Sequence, residues 1–236
     1  MPRKPRIQSS TGMYHIILRS VNQHIIFEDD SDYQKFLLIL SDCKTKFNID
    51  IFAYCLMDNH IHLQLSADTK TLSSFFQSIG SRFVRWYNSK YDRSGHLFQE
   101  RYYSKAIETT SQYIATLIYI HNNPVNANIC QHPSEYYWSS YNAFYGQKDS
   151  LVNISHSYDI AGSRESLLHI FSSKIDTNGD NYFTDDHRKT NHFYTDEQAL
   201  EIFKSTTNLT SSATVSMLTK PIRNEYIQIL EKIMQL

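Results

Sequence analysis

Hydrophobic and polar residues alternate along several short segments of the chain, which is the pattern of half-buried β-strands. Residues 13–18 and 49–57 are predicted as strands. Residues 60–65 are predicted to return from the second of these through the two-residue turn at Asp58 and Asn59, so that 49–65 forms a hairpin. A further strand is predicted near residues 97–105.

Between these strands, apolar residues recur at helical spacing. A first helix is predicted from the capping residues at 29–31 to about residue 47, and a second over residues 71–91. A third begins at Thr110, and we expect Pro124 to end it. The order β-α-β-β-α-β-α predicts an α+β fold of the ferredoxin-like type, an antiparallel sheet with helices on one face, followed by one more helix.

The chain changes character after about residue 147. Residues 1–147 are predicted to form the main domain, and the polar region 148–193 is predicted as a linker. Residues 194–236 contain a capping box at 195–198 and later apolar positions at helical spacing, so we expect a mostly helical C-terminal segment. Because the chain stops inside its last predicted helix, we expect that segment to be truncated.

Composition excludes several classes for this chain of 236 residues. Its three cysteines, Cys43, Cys55 and Cys130, are widely spaced and form no disulfide framework or thiolate zinc motif. No apolar run approaches the roughly 20 residues that span a bilayer. The basic N-terminus is not followed by the apolar stretch of a signal peptide. We therefore expect a cytoplasmic protein with no membrane partner.

Charge is nearly balanced overall, with 23 Lys and Arg against 24 Asp and Glu, but it is unevenly distributed. Residues 76–107 carry six basic and two acidic side chains, interleaved with aromatic residues. Such interleaving suits single-stranded nucleic acid, since cations bind phosphates and rings stack on bases. The pattern is equally typical of a solvated amphipathic helix whose aromatic residues pack in the core.

Two histidines share one face of the predicted hairpin. In residues 60–65, Ile61, Leu63 and Leu65 point one way, and His60 and His62 point the other. Two imidazoles at i and i+2 can share a metal ion. The alternative is that they are ordinary surface or partly buried histidines.

The third helix carries a tyrosine away from its apolar stripe. Tyr119 shares its face with small and polar residues, and Asn123 lies one turn further on. A tyrosine hydroxyl can attack a phosphodiester and form a covalent phosphotyrosine, helped by a divalent ion that polarises the phosphate. His60 and His62 could bind that ion, with Asn123 as an oxygen ligand, a set that suits Mn²⁺ or Mg²⁺. The alternative is a surface tyrosine that hydrogen-bonds locally.

Four motifs follow one another along the chain. They are Met57-Asp-Asn-His-Ile-His62, Gly95-His-Leu-Phe-Gln-Glu-Arg-Tyr102, Tyr119-Ile-His-Asn-Asn-Pro-Val125 and Trp138-Ser-Ser-Tyr141. In this order they resemble the motifs of the HUH single-tyrosine transposases of the insertion-sequence type, and most closely those of the REP-associated tyrosine transposases of bacteria. The resemblance covers about residues 8–147.

The resemblance implies the HUH endonuclease fold and metal-dependent cleavage and joining of single-stranded DNA beside a hairpin. Tyr119 matches the family's nucleophile, and its 5′-phosphotyrosine product leaves a free 3′ hydroxyl. His60 and His62 match the metal ligands, and Asn123 matches a position that assists the metal. Residues expected to contact the DNA are Arg3, Lys4, Arg6, Arg82, Arg85, Arg101 and Lys105.

Two other classes of function stay open at this point. The chain could be a ferredoxin-like module that binds single-stranded nucleic acid without catalysis, or a structural or zinc-bound protein with no role in DNA. The sequence also leaves open whether the protein acts as a monomer or a homodimer.

Overall fold

The architecture was taken from a computed structural model, which describes residues 7–99 and 101–173. Within this part of the chain, four strands form one antiparallel sheet in the order β2-β3-β1-β4. The strands are β1 (Met13–Arg19), β2 (Asp50–Met57), β3 (His60–Ser66) and β4 (Tyr103–Ile107). The predicted hairpin is confirmed, since β2 and β3 pair directly across Asp58 and Asn59.

The α-helices of the described residues follow the predicted order. They are α1 (Asp30–Phe47), α2 (Thr69–Lys90), α3 (Thr110–Asn126), α4 (Ile154–Ala161) and α5 (Arg164–Ser172). The first helix begins with a capping box. The Asp29 side chain accepts the N–H of Ser31, and the Asp32 side chain accepts the N–H of Asp29. None of the helices in this part of the chain combines the length and apolar character needed to cross a membrane.

Helices α1 and α2 cover one face of the sheet, as the ferredoxin-like pattern predicts. Ile16 of β1 and Leu63 of β3 point into this core, where Phe36 of α1 packs edge-on against Phe83 of α2 with ring centroids 5.2 Å apart. All four side chains are fully buried. The alternation predicted for residues 60–65 is therefore confirmed, because Ile61, Leu63 and Leu65 all lie in this core.

The additional helix α3 covers part of the opposite face. Its Leu117 and Ile120 pack with Cys55 and Met57 of β2 in a second core. The free edge of β2 is covered by the segment after α3, since Leu56 N–H donates to the carbonyl of Trp138 at 2.9 Å. Covering an edge strand in this way satisfies backbone groups that would otherwise remain unpaired.

Two predicted boundaries need correction. Pro124 does not end the third helix, which continues to Asn126. The Pro124 ring removes the hydrogen bond that an N–H there would donate to the carbonyl of Ile120, but the helix continues beyond it, and Ala127 N–H still donates to the carbonyl of Asn123. The fourth strand begins at residue 103 rather than near 97, although Phe98 forms an isolated bridge with Ser20 at the end of β1.

The first part of the predicted linker is folded. Residues 148–173 contain α4 and α5, which pack beside α3 and β2. Tyr113 of α3 and Ser157 of α4 share a buried hydrogen bond of 2.7 Å, and Leu167 of α5 is fully buried. The polar composition of residues 148–193 led to the prediction of a linker, although two short amphipathic helices lie within residues 148–173. The predicted helical segment 194–236 lies outside the described residues.

Candidate active site

The two histidines of β3 lie together on the sheet face that α3 covers. His62 is fully buried and His60 is half-buried. Their ring centroids are 4.9 Å apart and the rings are nearly perpendicular, at 84°. Alternation along β3 therefore brings both imidazoles to one place, as the sequence predicted.

Asn59, in the hairpin turn, orients His60. The Nδ1 atom of His60 lies 2.6 Å from Oδ1 of Asn59. An amide oxygen can only accept, so Nδ1 of a neutral His60 carries the proton. The lone pair is then on Nε2, which is the arrangement a histidine needs to bind a metal ion through that atom.

His62 is held by a residue from the neighbouring strand. Its Nδ1 lies 3.0 Å from Nε2 of His15 in β1. Its Nε2 is buried and has no hydrogen-bond partner of normal geometry. Burial holds the pKa of His62 well below its usual value, and His60, His15 and Arg19 lower it further, while the nearby side chain of Asn123 acts in the opposite direction. His62 is therefore a neutral imidazole at physiological pH, the form that binds metals.

Tyr119 extends from α3 to the same cluster. This helix is capped at Thr109, whose side chain accepts the N–H of Gln112, and its apolar side packs against β2. Consequently its polar side faces the histidines. The half-buried Tyr119 ring makes edge contacts with the rings of His15 and His62, each with centroids 5.7 Å apart. The structure thus brings the predicted nucleophile to the predicted metal ligands.

Asn123 lies one turn beyond Tyr119 and is largely buried. Its Nδ2 donates to the carbonyl of Tyr119 at 2.8 Å, which leaves the amide oxygen at the other end of the group. The side chain is close enough to His62 to influence its pKa. Among the described residues, no three side chains of His, Cys, Asp or Glu converge on one metal position. A metal here would therefore take two imidazoles and an amide oxygen, and this donor set fits the buried Nε2 of His62.

A buried polar contact fixes α3 relative to β2. His121 Nε2 lies 2.9 Å from Oγ of Ser140, and the same hydroxyl accepts the N–H of Tyr54 at 2.9 Å. Ser140 belongs to the Trp-Ser-Ser-Tyr motif at residues 138–141. The motif therefore links the helix that carries Tyr119 to the edge of the sheet.

The predicted DNA-contact residues are divided between the two faces. Lys105 of β4 lies directly opposite His15, on the histidine face. Arg82 and Arg85 are exposed on α2, in the helix layer of the other face, and Arg82 forms a 2.6 Å ion pair with Asp42. Arg101 is exposed just before β4. The predicted contacts Arg3, Lys4 and Arg6 lie outside the described residues.

The sequence reasoning missed two residues of β1 that adjoin this site. His15 is almost fully buried beside His62, and Arg19 lies directly opposite His60 in the β1–β3 pairing. The signal was present, since His15, Ile17 and Arg19 alternate with the core residues of the same strand. It could be used only once β1 was known to neighbour β3.

Comparisons with known proteins concern the family and the fold. The model of the family described as IS200-like transposase matches residues 8–123. The solved structure of a REP-associated tyrosine transposase bound to a REP hairpin is similar with a TM-score of 0.54 and 19% identity, covering 65% of this chain and 90% of the other. A weaker likeness, with a TM-score of 0.35 and 18% identity, is to a transposase structure from Deinococcus radiodurans R1, covering 56% and 92%. No curated protein sequence matches significantly.

Proposed function

Because the part of this chain at residues 8–123 belongs to the family of IS200-like transposases, we propose that the protein cleaves and rejoins single-stranded DNA with Tyr119 as the nucleophile. The observation that carries the proposal is the contact of the Tyr119 ring with His62, whose neighbour on the same strand face is His60. Nucleophile and metal ligands come from separate elements, and the fold brings them together.

The proposed reaction is a transesterification at phosphorus. The Tyr119 oxygen forms a bond to the scissile phosphorus, and the bond from phosphorus to the 3′ oxygen breaks. The phenolic proton leaves to solvent, and the released 3′ oxygen takes up a proton. The products are a 5′-phosphotyrosine and a free 3′ hydroxyl, which can attack the linkage again to join strands. No net phosphodiester energy is lost, so the step is reversible.

His60, His62 and Asn123 would hold a divalent ion, Mg²⁺ or Mn²⁺. Such an ion supplies polarisation of the scissile phosphate and stabilises charge developing on its oxygens. The side chains around this position favour the binding of such an ion. Burial keeps His62 uncharged, and Asn59 orients His60. The contact of Tyr119 with His62 holds the phenol next to the ligand set.

Among the described residues, Lys105 and Arg19 are the basic residues best placed to contact DNA at this site. Each lies on a strand that flanks the histidines, opposite His15 and His60 respectively. We propose a hairpin-bearing single strand as the substrate, since the similar solved structure is of a transposase bound to a REP hairpin. Arg3, Lys4, Arg6 and Arg101 remain proposed contacts to that hairpin.

The test incubates the protein and Mn²⁺ with labelled single strands that carry a hairpin. We expect a covalent adduct with the wild type that is absent in Tyr119→Phe. We also expect His60→Ala and His62→Ala to lose cleavage while retaining most DNA affinity and a normal circular dichroism spectrum. An adduct that persists in Tyr119→Phe would refute the assignment. Tight binding with no adduct from any hairpin tried would instead support the non-catalytic binding module.

A further inference from the structure

We propose that His15 is a positioning residue, which accepts a hydrogen bond from Nδ1 of His62 and thereby keeps Nε2 of His62 available to bind a divalent cation. This inference rests on the proposed metal site at His60 and His62. It assigns a role to a side chain that belongs to none of the sequence motifs considered above.

The placement of His15 is defined by the sheet. His15 and His62 lie on adjacent strands and on the same face of the sheet. They are diagonal neighbours, since His15 pairs with Gln64 and His62 pairs with Ile17. Their rings are stacked, with centroids 5.3 Å apart and planes inclined by 22°. The two facing nitrogens are 3.0 Å apart, a normal hydrogen-bond distance. His15 is 3% exposed and His62 is 0% exposed, so water does not compete for this bond.

Two proton arrangements are compatible with this hydrogen bond. A neutral imidazole carries one N–H, and one of the two rings must donate. If His15 donates, the proton of His62 is on Nε2. That atom, which is buried and has no hydrogen bond of normal geometry, then cannot bind a cation. If His62 donates from Nδ1, its Nε2 carries a lone pair directed towards the site.

Cation binding through Nε2 of His62 requires the second arrangement, in which His15 accepts through the nitrogen that faces His62. His15 thus relates to His62 as Asn59 relates to His60, since each supplies an acceptor for the Nδ1 proton of a ligand. Both ligand rings would then present Nε2 to the cation.

The first experiment measures Mn²⁺ binding to the full chain without DNA, by isothermal titration calorimetry. His15→Leu removes the acceptor, and we expect affinity to fall by about 10- to 100-fold. His15→Gln retains an acceptor oxygen and should recover most of the affinity. His156→Gln is the control, because His156 is a half-buried histidine of α4 that stacks on Phe52 rather than on the histidine cluster, and its affinity should equal the wild type.

The outcomes separate this inference from the proposed function. Wild-type affinity in folded His15→Leu, together with loss of binding in His62→Ala, would overturn the role of His15 and leave the metal site standing. Binding that is unaffected by His62→Ala would overturn the metal site and the role of His15 with it.

A second measurement does not depend on how the variants fold. Nitrogen-15 shifts and couplings of the His62 ring in the metal-free wild type report which nitrogen carries the proton. We expect the proton on Nδ1. A protonated Nε2 would overturn the proposal.

Discussion

The buried pair of His15 and His62 gives a sharp prediction about stability. In metal-free protein, Nε2 of His62 is buried with no hydrogen bond of normal geometry, although the side chain of Asn123 acts on the ring. A buried polar atom without a full hydrogen bond costs up to about 1–3 kcal/mol. We therefore expect replacement of the pair by apolar residues to stabilise the metal-free protein.

The magnitude follows from counting unpaired atoms. His62→Leu removes the unpaired Nε2 but leaves Nε2 of His15 without its partner, so the two effects offset and stability should change by less than about 1 kcal/mol. The double variant His15→Leu/His62→Leu removes both polar groups and leaves no unpaired nitrogen. Since leucine and histidine are similar in volume, we expect a gain of about 1–2 kcal/mol, or roughly 2–8 °C in Tm.

The assay is thermal and urea unfolding in the presence of a chelator, for the wild type, both single variants and the double variant. Added Mn²⁺ should raise the Tm of the wild type and not that of the double variant, because a ligand stabilises only the state that binds it. A double variant less stable than the wild type by more than about 1 kcal/mol would refute the reasoning. It would mean that the pair stabilises the fold rather than serving the site.

Three further predictions concern pH, salt and the third ligand. Burial lowers the pKa of His121 to about 3, so below about pH 6.5 the unfolded chain binds more protons than the folded one. The free energy of unfolding should therefore fall by up to about 1.4 kcal/mol per pH unit as the pH drops through that range. In urea titrations, His121→Gln should make this dependence on pH less steep. Lys105→Ala should reduce the slope of log affinity for single-stranded DNA against log salt concentration by about 0.7. Arg82→Ala, in the helix layer on the opposite face of the sheet, should leave that slope unchanged. Equal effects of the two substitutions would contradict the division of the basic residues between the faces. Asn123→Ala should weaken Mn²⁺ binding about 10-fold and Asn123→Asp should retain it, and unchanged calorimetric affinity in the alanine variant would exclude this side chain as a ligand.

Much of the fold could be predicted from sequence, because strands and helices leave local periodicities of two and 3.6 residues. Those periodicities located the four strands and the first three helices, and they placed His60 and His62 on one strand face. Boundaries were less well determined where local signals conflict. Pro124 removes one hydrogen bond of α3, yet the helix continues for two more residues, and the polar segment after residue 147 contains the short helices α4 and α5.

What the sequence alone identified was the set of candidate groups, Tyr119, His60 and His62, because each departs from the apolar pattern of its own element. What tertiary structure decided was which groups meet. His15 adjoins His62 since the strand order places β1 beside β3, and that order depends on pairing between segments about 45 residues apart rather than on any local period. The same long-range packing set α3 against the histidine face and left Arg82 and Arg85 on the opposite side. The face on which a residue lies follows from the local periodicity of its own strand or helix. Its neighbours across a sheet are determined only when distant segments pair.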